Sequence, residues 1–418
     1  MGEKEFITSE DIKLSLANTP QVTFEVTDRC NLKCEYCGYG ELYCNHDLRE
    51  GKDMEVKTAI KLLDYLGDLW NSPLSQSINN NVYVSFYGGE PLLNFPFIEA
   101  IVKYAKTIKN NKRQFTFNMT TNGILIDRYM DFLVQNNVKL LISLDGDEYG
   151  NSYRINKSGK NSFDDIIKNV NRLRDSFPNY FAENVNFNAV LHNRNSVAST
   201  YNFVYSHYDK APNIASLNDM GIRDDMKQKF MNMFQNTEES LMDAENYSEL
   251  ESKMFLASPT YHSATVFLMQ HSEFKYENYN ELLFGKSEAE KQYPTGTCIP
   301  FGKKVFVTVN GKILPCERIG HQFALGTVDN SGVNLDFEEI AARYNAWFSK
   351  LNPLCSKCFT AKSCIQCIFN LPDITKEKCG CHGFMNEEMY EEYKTAQLSF
   401  FARHPEAYSR IMKEVIYK

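Results

Sequence analysis

The chain has 418 residues, of which 43% are hydrophobic, 13% aromatic and 23% charged, and its formal net charge is -8. This composition excludes a disordered chain, and the acidic balance disfavours nucleic acid as a partner because no basic residues cluster along the sequence. No apolar run approaches the ~20 residues of a membrane span, and the polar N-terminus lacks a signal-peptide pattern. We therefore predict a cytoplasmic protein, with no membrane partner, whose 12 cysteines bind metals or clusters instead of forming disulfides.

Strands and helices alternate through the first half of the chain. Short apolar runs predict strands over residues 22–26, 82–86, 115–120, 139–144 and 185–191. Apolar residues at helical spacing predict helices over residues 55–69, 96–108, 127–136 and 163–175. This alternation requires right-handed crossovers and a parallel sheet, open or barrel-like, whose ligands bind at the carboxyl ends of the strands.

The second half has a different pattern. Residues 211–293 are polar, acidic and rich in methionine, so we expect helices without strong strands there. Segments 305–309 and 312–314 flank Asn310-Gly311, a pair that predicts a type I′ hairpin. The predicted domains are an N-terminal segment, an α/β domain, a helical bridging segment, a cysteine-rich domain and a helical C-terminal segment, over residues 1–20, 21–210, 211–297, 298–384 and 385–418.

A cysteine triplet follows the first predicted strand directly. Cys30, Cys34 and Cys37 form a C-x3-C-x2-C motif. Three close thiolates without a fourth in step suit a [4Fe-4S] cubane in which one iron is open to a non-protein ligand. A structural zinc ion would take a fourth protein ligand, for which Cys44 or His46 is available. The triplet alone leaves both interpretations open.

The loop after the second predicted strand has a glycine pair beside a carboxylate. It reads Tyr87-Gly88-Gly89-Glu90-Pro91. The two glycines expose backbone groups, and the carboxylate can accept a hydrogen bond from an ammonium. A Gly-Gly pair alone is a common turn signal, but one crossover after the cysteine triplet it indicates a ligand site.

These motifs together resemble those of the radical S-adenosylmethionine (SAM) enzymes. CNLKCEYC is similar to their cluster motif and YGGEP to their next motif, and the resemblance continues through Thr121-Asn122-Gly123 and Ser143-Leu144-Asp145-Gly146. It covers roughly residues 20–210. It implies a partial (β/α)6 TIM-like barrel, in which one electron from the reduced cluster cleaves SAM and the resulting 5′-deoxyadenosyl radical abstracts a hydrogen atom from the substrate.

The resemblance also implies the residues of the cofactor site. Cys30, Cys34 and Cys37 would hold a [4Fe-4S] cluster whose open iron takes the amino and carboxylate groups of SAM. The other contacts would be Gly88, Gly89 and Glu90 at the methionyl ammonium, Ser143 at the ribose or carboxylate, Arg154 at the carboxylate, Val190 near the adenine, and Tyr36 as the aromatic residue of the cluster motif. A surface ion pair is the alternative interpretation of Arg154.

Eight further cysteines lie in the C-terminal part, at 298, 316, 355, 358, 364, 367, 379 and 381. Paired C-x2-C units also occur in zinc ribbons. Beside a radical SAM motif, however, the spacing is similar to that of the SPASM domain, which carries two auxiliary [4Fe-4S] clusters. That resemblance assigns Cys298, Cys316 and Cys367 to the first and Cys355, Cys358, Cys364 and Cys379 to the second. Cys381 either closes the first cluster, which is otherwise open at one iron, or replaces Cys379.

Glu317, directly after Cys316, is the candidate catalytic base, because sulfatase-maturing members of the family have an aspartate there that takes the substrate proton. The alternative is a glutamate that is exposed or paired with Arg318. His192 and His321 are weaker candidates, and Cys44 is expected to be a passive thiol.

SPASM-bearing relatives act mostly on peptides or proteins. The leading hypothesis is therefore a maturase that installs a thioether or carbon–carbon crosslink in a ribosomally synthesised peptide. The alternatives are an anaerobic sulfatase maturase that forms formylglycine and a non-catalytic, zinc-stabilised binding protein. The expected partners are the peptide or protein substrate, an external electron donor of flavodoxin or ferredoxin type, and a separate leader-binding protein unless a leader docks on residues 211–293.

Overall fold

A computed structural model of the chain describes residues 5–77, 80–108, 113–271, 293–296, 299–361, 364–371, 374–376 and 379–416. The chain divides into two compact units. The sheet unit comprises Lys13–Glu245 and Ile299–Asp336. The helical unit comprises Met1–Ile12, Asn246–Cys298 and Phe337–Lys418. The segment predicted as one cysteine-rich domain is therefore divided between the two units at about residue 336.

The strands are β1 (Gln21–Thr27), β2 (Asn81–Gly88), β3 (Gln114–Thr121), β4 (Lys139–Ser143), β5 (Val185–Leu191), β6 (Asn213–Ser216), β7 (Val305–Val307), β8 (Lys312–Leu314), β9 (Gly326–Val328) and β10 (Val333–Leu335). The helices are α1 (Ser9–Ala17), α2 (Val56–Asn71), α3 (Phe95–Ala105), α4 (Ile126–Gln135), α5 (Phe163–Ser176), α6 (Pro178–Asn184), α7 (Val197–Tyr208), α8 (Lys227–Met233), α9 (Thr237–Met242), α10 (Tyr247–Met254), α11 (Pro259–His271), α12 (Phe337–Cys355), α13 (Glu387–Arg403) and α14 (Pro405–Ile411). None of the helices within the described ranges is both long and apolar enough to cross a membrane.

One ten-stranded sheet organises the sheet unit, in the order β10-β9-β8-β7-β1-β2-β3-β4-β5-β6. Strands β1 to β6 pair in parallel with their sequence neighbours. Strand β7 also runs parallel to β1, and β8, β9 and β10 then add in antiparallel fashion. Helices on the connections between parallel strands confirm the predicted α/β class.

Alternation of side chains along the strands separates an apolar face from a polar one. On β1, Val22, Phe24 and Val26 are buried, and Phe24 packs edge to face against Phe97 of α3 with ring centroids 5.9 Å apart. The other face of β1 carries Gln21, Thr23 and Glu25. On this face Gln21 donates to the Ser85 hydroxyl of β2 at 2.8 Å. The helices therefore cover the apolar face, and the opposite face keeps polar groups available for chemistry.

The structure adds three strands that the sequence pattern did not reveal, β6, β9 and β10. Strand β6 (Asn213–Ser216) lies within the segment expected to contain helices without strong strands. Its four residues alternate between exposed and half-buried positions at the edge of the parallel sheet. A strand this short and this polar has no apolar run to detect, so only its pairing with β5 defines it.

The predicted hairpin forms, but its turn differs from the expected type. Gly311 has φ +78 and its N–H donates to the carbonyl of Thr308 at 2.8 Å, whereas Asn310 keeps a negative φ. A type I′ turn needs positive φ at both central residues, so this is a three-residue loop with glycine in the left-handed position. A Cβ at Gly311 would also lie 2.1 Å from the carbonyl oxygen of Val328.

The helical unit has its own apolar contacts. Tyr261 of α11 packs edge to face against Phe400 of α13 with ring centroids 5.5 Å apart, beside buried Ala407 and Ile411 of α14. Helix α12 buries Tyr344 and Phe348 and ends at Cys355, so the first thiol of the C-x2-C unit is fixed at a helix C-terminus.

Candidate active site

The three motif cysteines lie in one loop after β1, and residues 153–155 hold that loop by its backbone. The N–H of Lys33 donates to the carbonyl of Ile155 at 2.7 Å, and the N–H of Glu35 donates to that of Tyr153 at 3.1 Å. Burial, with smaller contributions from the neighbouring motif thiols, raises the pKa of the Cys30 thiol to about 11 and that of Cys34 to about 12. The loop therefore brings the three sulfurs together in a largely buried place.

The two glycines after β2 are required by close backbone packing. A Cβ at Gly89 would lie 2.0 Å from the carbonyl oxygen of Arg29, and a Cβ at Gly88, whose φ is +130, would lie 2.4 Å from that of Thr27. Both obstacles are backbone atoms of the segment that leads into the cysteine loop. The glycines thus let the two loops approach, whatever they contribute to a ligand.

We expect Gly89→Ala to impair both folding and cluster loading, because the added methyl group collides with a backbone that cannot rotate away. Overpacking of this kind typically costs about 1–3 kcal/mol or more. Gly38→Ala is the matched control, since it adds the same methyl group within the cysteine loop where no atom lies within 4 Å. Thermal unfolding and iron content measure the two effects; equal behaviour of the two variants would refute this packing role.

Glu90 is fully buried and its carboxylate is already occupied. Its oxygens accept hydrogen bonds from the N–H of Asn122 at 2.8 Å, the hydroxyl of Thr121 at 2.9 Å and the N–H of Leu92 at 3.1 Å. Burial nevertheless raises the pKa of Glu90 to about 7, which these donors only partly oppose. The carboxylate thus joins the Gly-Gly loop to the loop after β3, and its predicted contact with an ammonium stays a prediction.

Arg154 forms a buried pair and not the surface ion pair considered from the sequence. Its Nε donates to Asp145 Oδ2 at 2.9 Å and one Nη donates to Oδ1 at 3.0 Å, with the two residues 6% and 0% exposed. Burial alone would raise the pKa of Asp145, but Arg154 and the surrounding hydrogen bonds hold it below the ordinary value. Two of the guanidinium nitrogens are thereby engaged within the protein, and the proposed contact with the SAM carboxylate is left to the third.

The other predicted cofactor contacts lie at the ends of neighbouring strands. Ser143 is the last residue of β4 and pairs in register with Asn188 of β5. Val190 of β5 is half-buried against the aromatic cluster that contains Tyr36 and Tyr153. Asn122, in the loop after β3, donates from Nδ2 to the Sγ of Cys30 at 3.8 Å and to Oδ1 of Asn31 at 2.7 Å. The strand ends therefore surround the cysteine loop, as expected for a site at this edge of the sheet.

Comparison with known proteins identifies this arrangement. Residues 24–204 match the family model of the Radical SAM superfamily. Residues 24–204 therefore form a radical SAM domain. This match indicates an enzyme and counts against the interpretation as a non-catalytic zinc-stabilised binding protein.

Three curated relatives match part of this chain. An uncharacterized protein of Methanocaldococcus jannaschii is 36% identical over 151 residues, which are 36% of this chain and 47% of that protein. The radical SAM cyclopropyl synthase TigE of Paramaledivibacter caminithermalis is 26% identical over 170 residues, 40% of this chain and 34% of that enzyme. The cysteine-type anaerobic sulfatase-maturating enzyme of Clostridium novyi is 27% identical over 150 residues, 35% and 38%. Each match spans less than half of the relative's length.

A solved structure extends the likeness to the whole fold. Native anSMEcpe with bound AdoMet and Cp18Cys peptide matches with a TM-score of 0.57 at 17% identity, over 94% of this chain and 99% of that chain. At this identity the match concerns the fold. It confirms the predicted fold class, a TIM-like radical SAM barrel with a C-terminal cysteine-rich region.

The cysteine loop fits the group that a radical SAM domain uses, a [4Fe-4S] cluster with SAM. Neither candidate fourth ligand for zinc joins the triplet: Cys44 is exposed and donates to the carbonyl of Gly221 at 3.4 Å, and His46 Nδ1 contacts the carbonyl of Asp47 at 3.1 Å. Over the described ranges, no three Cys, His, Asp or Glu side chains converge on a position for one metal ion. A cubane binds each thiolate at a different iron, so its ligands need no common point.

Glu317 lines a polar cavity of about 310 Å³ within the radical SAM sheet unit. Its carboxylate accepts from Lys304 Nζ at 3.0 and 2.9 Å, so its ion-pair partner is not the neighbouring Arg318. Burial raises the pKa of Glu317, but Lys304 outweighs it and the net shift is downward. The side chain is only 18% exposed, so an ionised carboxylate is held at the cavity wall beside Cys316. Tyr87, Asn118 and Lys139 also line this cavity.

The C-terminal cysteines form a second group within the helical unit. Cys355, Cys358, Cys364 and Cys381 line one cavity, together with apolar residues such as Leu351 and Phe384. Burial, with smaller contributions from Cys364, Cys381 and Cys358, raises the pKa of Cys355 to about 11. Cys379 was expected as the fourth member of this set, but it does not line the cavity.

Backbone donors accompany these thiols. The N–H of Met385 donates to the Sγ of Cys358 at 3.4 Å, and the thiols of Cys355 and Cys381 accept from the N–H groups of Thr295 and Gly383. Hydrogen bonds to sulfur are a recognised feature of iron–sulfur sites. The donor set therefore fits a four-thiolate cluster.

The structure describes only two of the three cysteines predicted for the first auxiliary cluster. Cys316 lies in the sheet unit, where burial raises its pKa to about 11, and Cys367 lies in the helical unit. Cys298 lies outside the described residues. This ligand set stays a prediction.

Proposed function

We propose that this radical SAM enzyme oxidises a residue within a peptide and installs a crosslink, as a thioether or a carbon–carbon bond. The observation that carries the proposal is the ionised Glu317 beside Cys316 on the wall of a polar cavity, in the same unit as the cysteine loop. A crosslink removes two hydrogens from the substrate. One must leave as an atom and the other as a proton, so the site needs a base as well as a radical source.

The protein's residues have distinct roles in this proposal. Cys30, Cys34 and Cys37 would hold the radical cluster, and Cys355, Cys358, Cys364 and Cys381 an auxiliary one. When bound, these groups and SAM supply the radical that takes the hydrogen atom and the acceptor for the remaining electron. Glu317 accepts the substrate proton, and Lys304 keeps the carboxylate ionised until then. Tyr87 and Asn118 bound the cavity and orient the substrate side chain.

Formylglycine formation in a sulfatase is the second candidate function. It is supported by the match to the sulfatase-maturating enzyme of Clostridium novyi and needs the same two-electron oxidation of one residue. Glutamate in place of aspartate after Cys316 is the feature of this chain that favours crosslinking. Mass spectrometry separates the two, because formylglycine carries an aldehyde that reacts with hydrazides and a crosslink does not.

We expect Glu317→Gln to keep reductive cleavage of SAM and to lose product. Removing a general base typically lowers the rate by about 10²–10⁴-fold, whereas radical generation does not need the base. The substrates to test are short peptides encoded beside the gene and, for the second function, the active-site segment of an adjacent sulfatase. 5′-Deoxyadenosine is measured by chromatography and modified peptide by mass spectrometry.

Glu99→Gln is the control for this experiment. It removes another lysine-paired glutamate, but one that is 41% exposed and bonded to Lys103 on the surface of α3. It should leave both products at their normal levels. Unchanged peptide modification in Glu317→Gln would eliminate Glu317 as the base, and with it the main support for this proposal.

A further inference from the structure

A buried carboxylate connects the cysteine loop to the strand ends around it. Asp145 is completely buried after β4 and accepts hydrogen bonds from the hydroxyl of Tyr36, from Nε and one Nη of Arg154, and from the N–H of Val190 at 2.9 Å. Its backbone carbonyl accepts from Asn195 Nδ2 at 2.9 Å. One carboxylate thus joins the cysteine loop, the Arg154 segment and β5.

Asp145 contacts the cysteine loop at Tyr36, inside the cluster motif. Tyr36 lies between Cys34 and Cys37, and its ring is buried against Tyr153 and His192, with centroids 6.3 and 5.5 Å away. The backbone bonds to Ile155 and Tyr153 hold the loop at Lys33 and Glu35, before this point. Within the described residues, the Tyr36 hydroxyl makes the only side-chain hydrogen bond between the segment from Cys34 to Cys37 and the strand ends.

The surroundings of Asp145 keep this acceptor in one position. Arg154 fixes the plane of the carboxylate with its bidentate contact, and His192, which is fully buried, places Nε2 3.7 Å from Oδ2. A carboxylate held on both oxygens cannot rotate to follow a moving hydroxyl. The loop must therefore adopt the position that the carboxylate sets.

We propose that Asp145 is a positioning residue for the radical cluster. Through Tyr36 it fixes the part of the loop that carries Cys34 and Cys37, and through the N–H of Val190 it fixes the adjoining end of β5. The distance and orientation between the cluster and SAM then depend on this hydrogen bond. The proposal concerns the cleavage of SAM and is independent of which peptide the enzyme modifies.

Tyr36→Phe tests the proposal because it removes the hydroxyl and keeps the ring and the Asp145–Arg154 pair. We expect normal iron content but a roughly tenfold lower rate of 5′-deoxyadenosine formation at saturating SAM, the size of effect that small misplacements produce. The electron paramagnetic resonance spectrum of the reduced cluster should also respond differently to added SAM.

Tyr43→Phe is the matched control. Its hydroxyl donates to the carbonyl of Asn218 at 2.7 Å, and its ring belongs to the same buried aromatic cluster, but its hydroxyl does not bind Asp145. Both variants lose one hydroxyl and should lower thermal stability to a similar extent. Only Tyr36→Phe should change the spectrum and the rate; identical spectra and rates for the two variants and the wild type would overturn the proposal.

A second variant covers the case in which Tyr36→Phe fails to load its cluster. In Asp145→Asn with Arg154→Gln, the charged pair is removed as a pair, so no buried charge is left alone. If this double variant loads iron normally and its SAM-induced spectrum matches that of the wild type, Asp145 has no positioning role. Because Arg154 is itself a predicted SAM contact, Arg154→Gln alone is measured beside it, and a spectrum of the double variant that differs from that of Arg154→Gln at normal iron content supports the proposal.

Discussion

Replacing Cys30, Cys34 and Cys37 together with alanine should abolish the reductive cleavage of SAM. The three thiols are the sulfur ligands that the loop after β1 brings together, and a radical SAM domain without its cluster has no electron source for the cofactor. If the chain carries three cubanes, each with four irons, the variant should lose about a third of the iron. Iron and sulfide quantitation after anaerobic purification measures the loss, and chromatography of 5′-deoxyadenosine measures the cleavage.

Cys44→Ala is the control for this result. Cys44 is also a free thiol in the same stretch of chain, but it is exposed and contacts the carbonyl of Gly221 instead of the triplet. It should keep wild-type iron and cleavage. Equal losses in the two variants would make Cys44 a further ligand of the iron site, and residual cleavage in the triple variant would place the radical cluster elsewhere.

The motif positions were predictable because they are local. The three thiols directly follow one strand, and the two glycines directly follow the next strand. Because these strands pair in parallel, both loops lie at the same edge of the sheet. Five of the strands β1 to β6 follow from apolar runs for the same reason. The sixth, β6, depends on contact with β5 and carries no pattern of its own.

Partners far apart in the sequence could not be predicted in the same way. Arg154 was linked to SAM by the family resemblance, yet two of its nitrogens bind Asp145, and nothing in the sequence shows that this aspartate is buried. Glu317 was considered beside Arg318, but the chain folds so that β7 brings Lys304 to it. The signal for Asp145 was the Ser-Leu-Asp-Gly motif itself, in which only the serine was given a role.

The fourth thiol of the proposed auxiliary site is another residue that the sequence alone does not identify. Cys379 and Cys381 are two residues apart, so spacing from Cys367 does not distinguish them. The fold distinguishes the two thiols, because Cys381 lines the same cavity as Cys355, Cys358 and Cys364.

Cys381→Ser should therefore remove up to about a third of the iron, the share of one cubane among three, whereas Cys379→Ser should keep it. The reason is that a serine hydroxyl is a poor substitute for a thiolate, and the buried cavity has no other described thiol that could replace it. The two variants are matched in chemistry, in position along the chain and in partial burial. Iron content and the electron paramagnetic resonance signal of the reduced auxiliary cluster measure the difference without depending on turnover.

The outcome also decides where the remaining cysteine belongs. If Cys379→Ser keeps its iron, no cluster needs Cys379 as a ligand, and a thiol-alkylating reagent applied to the loaded wild-type protein should modify it as a free thiol. If instead Cys379→Ser loses the iron and Cys381→Ser keeps it, the assignment from the cavity is wrong. Loss in both variants would mean that the two thiols serve different clusters, and Cys381 would still complete the site that it lines.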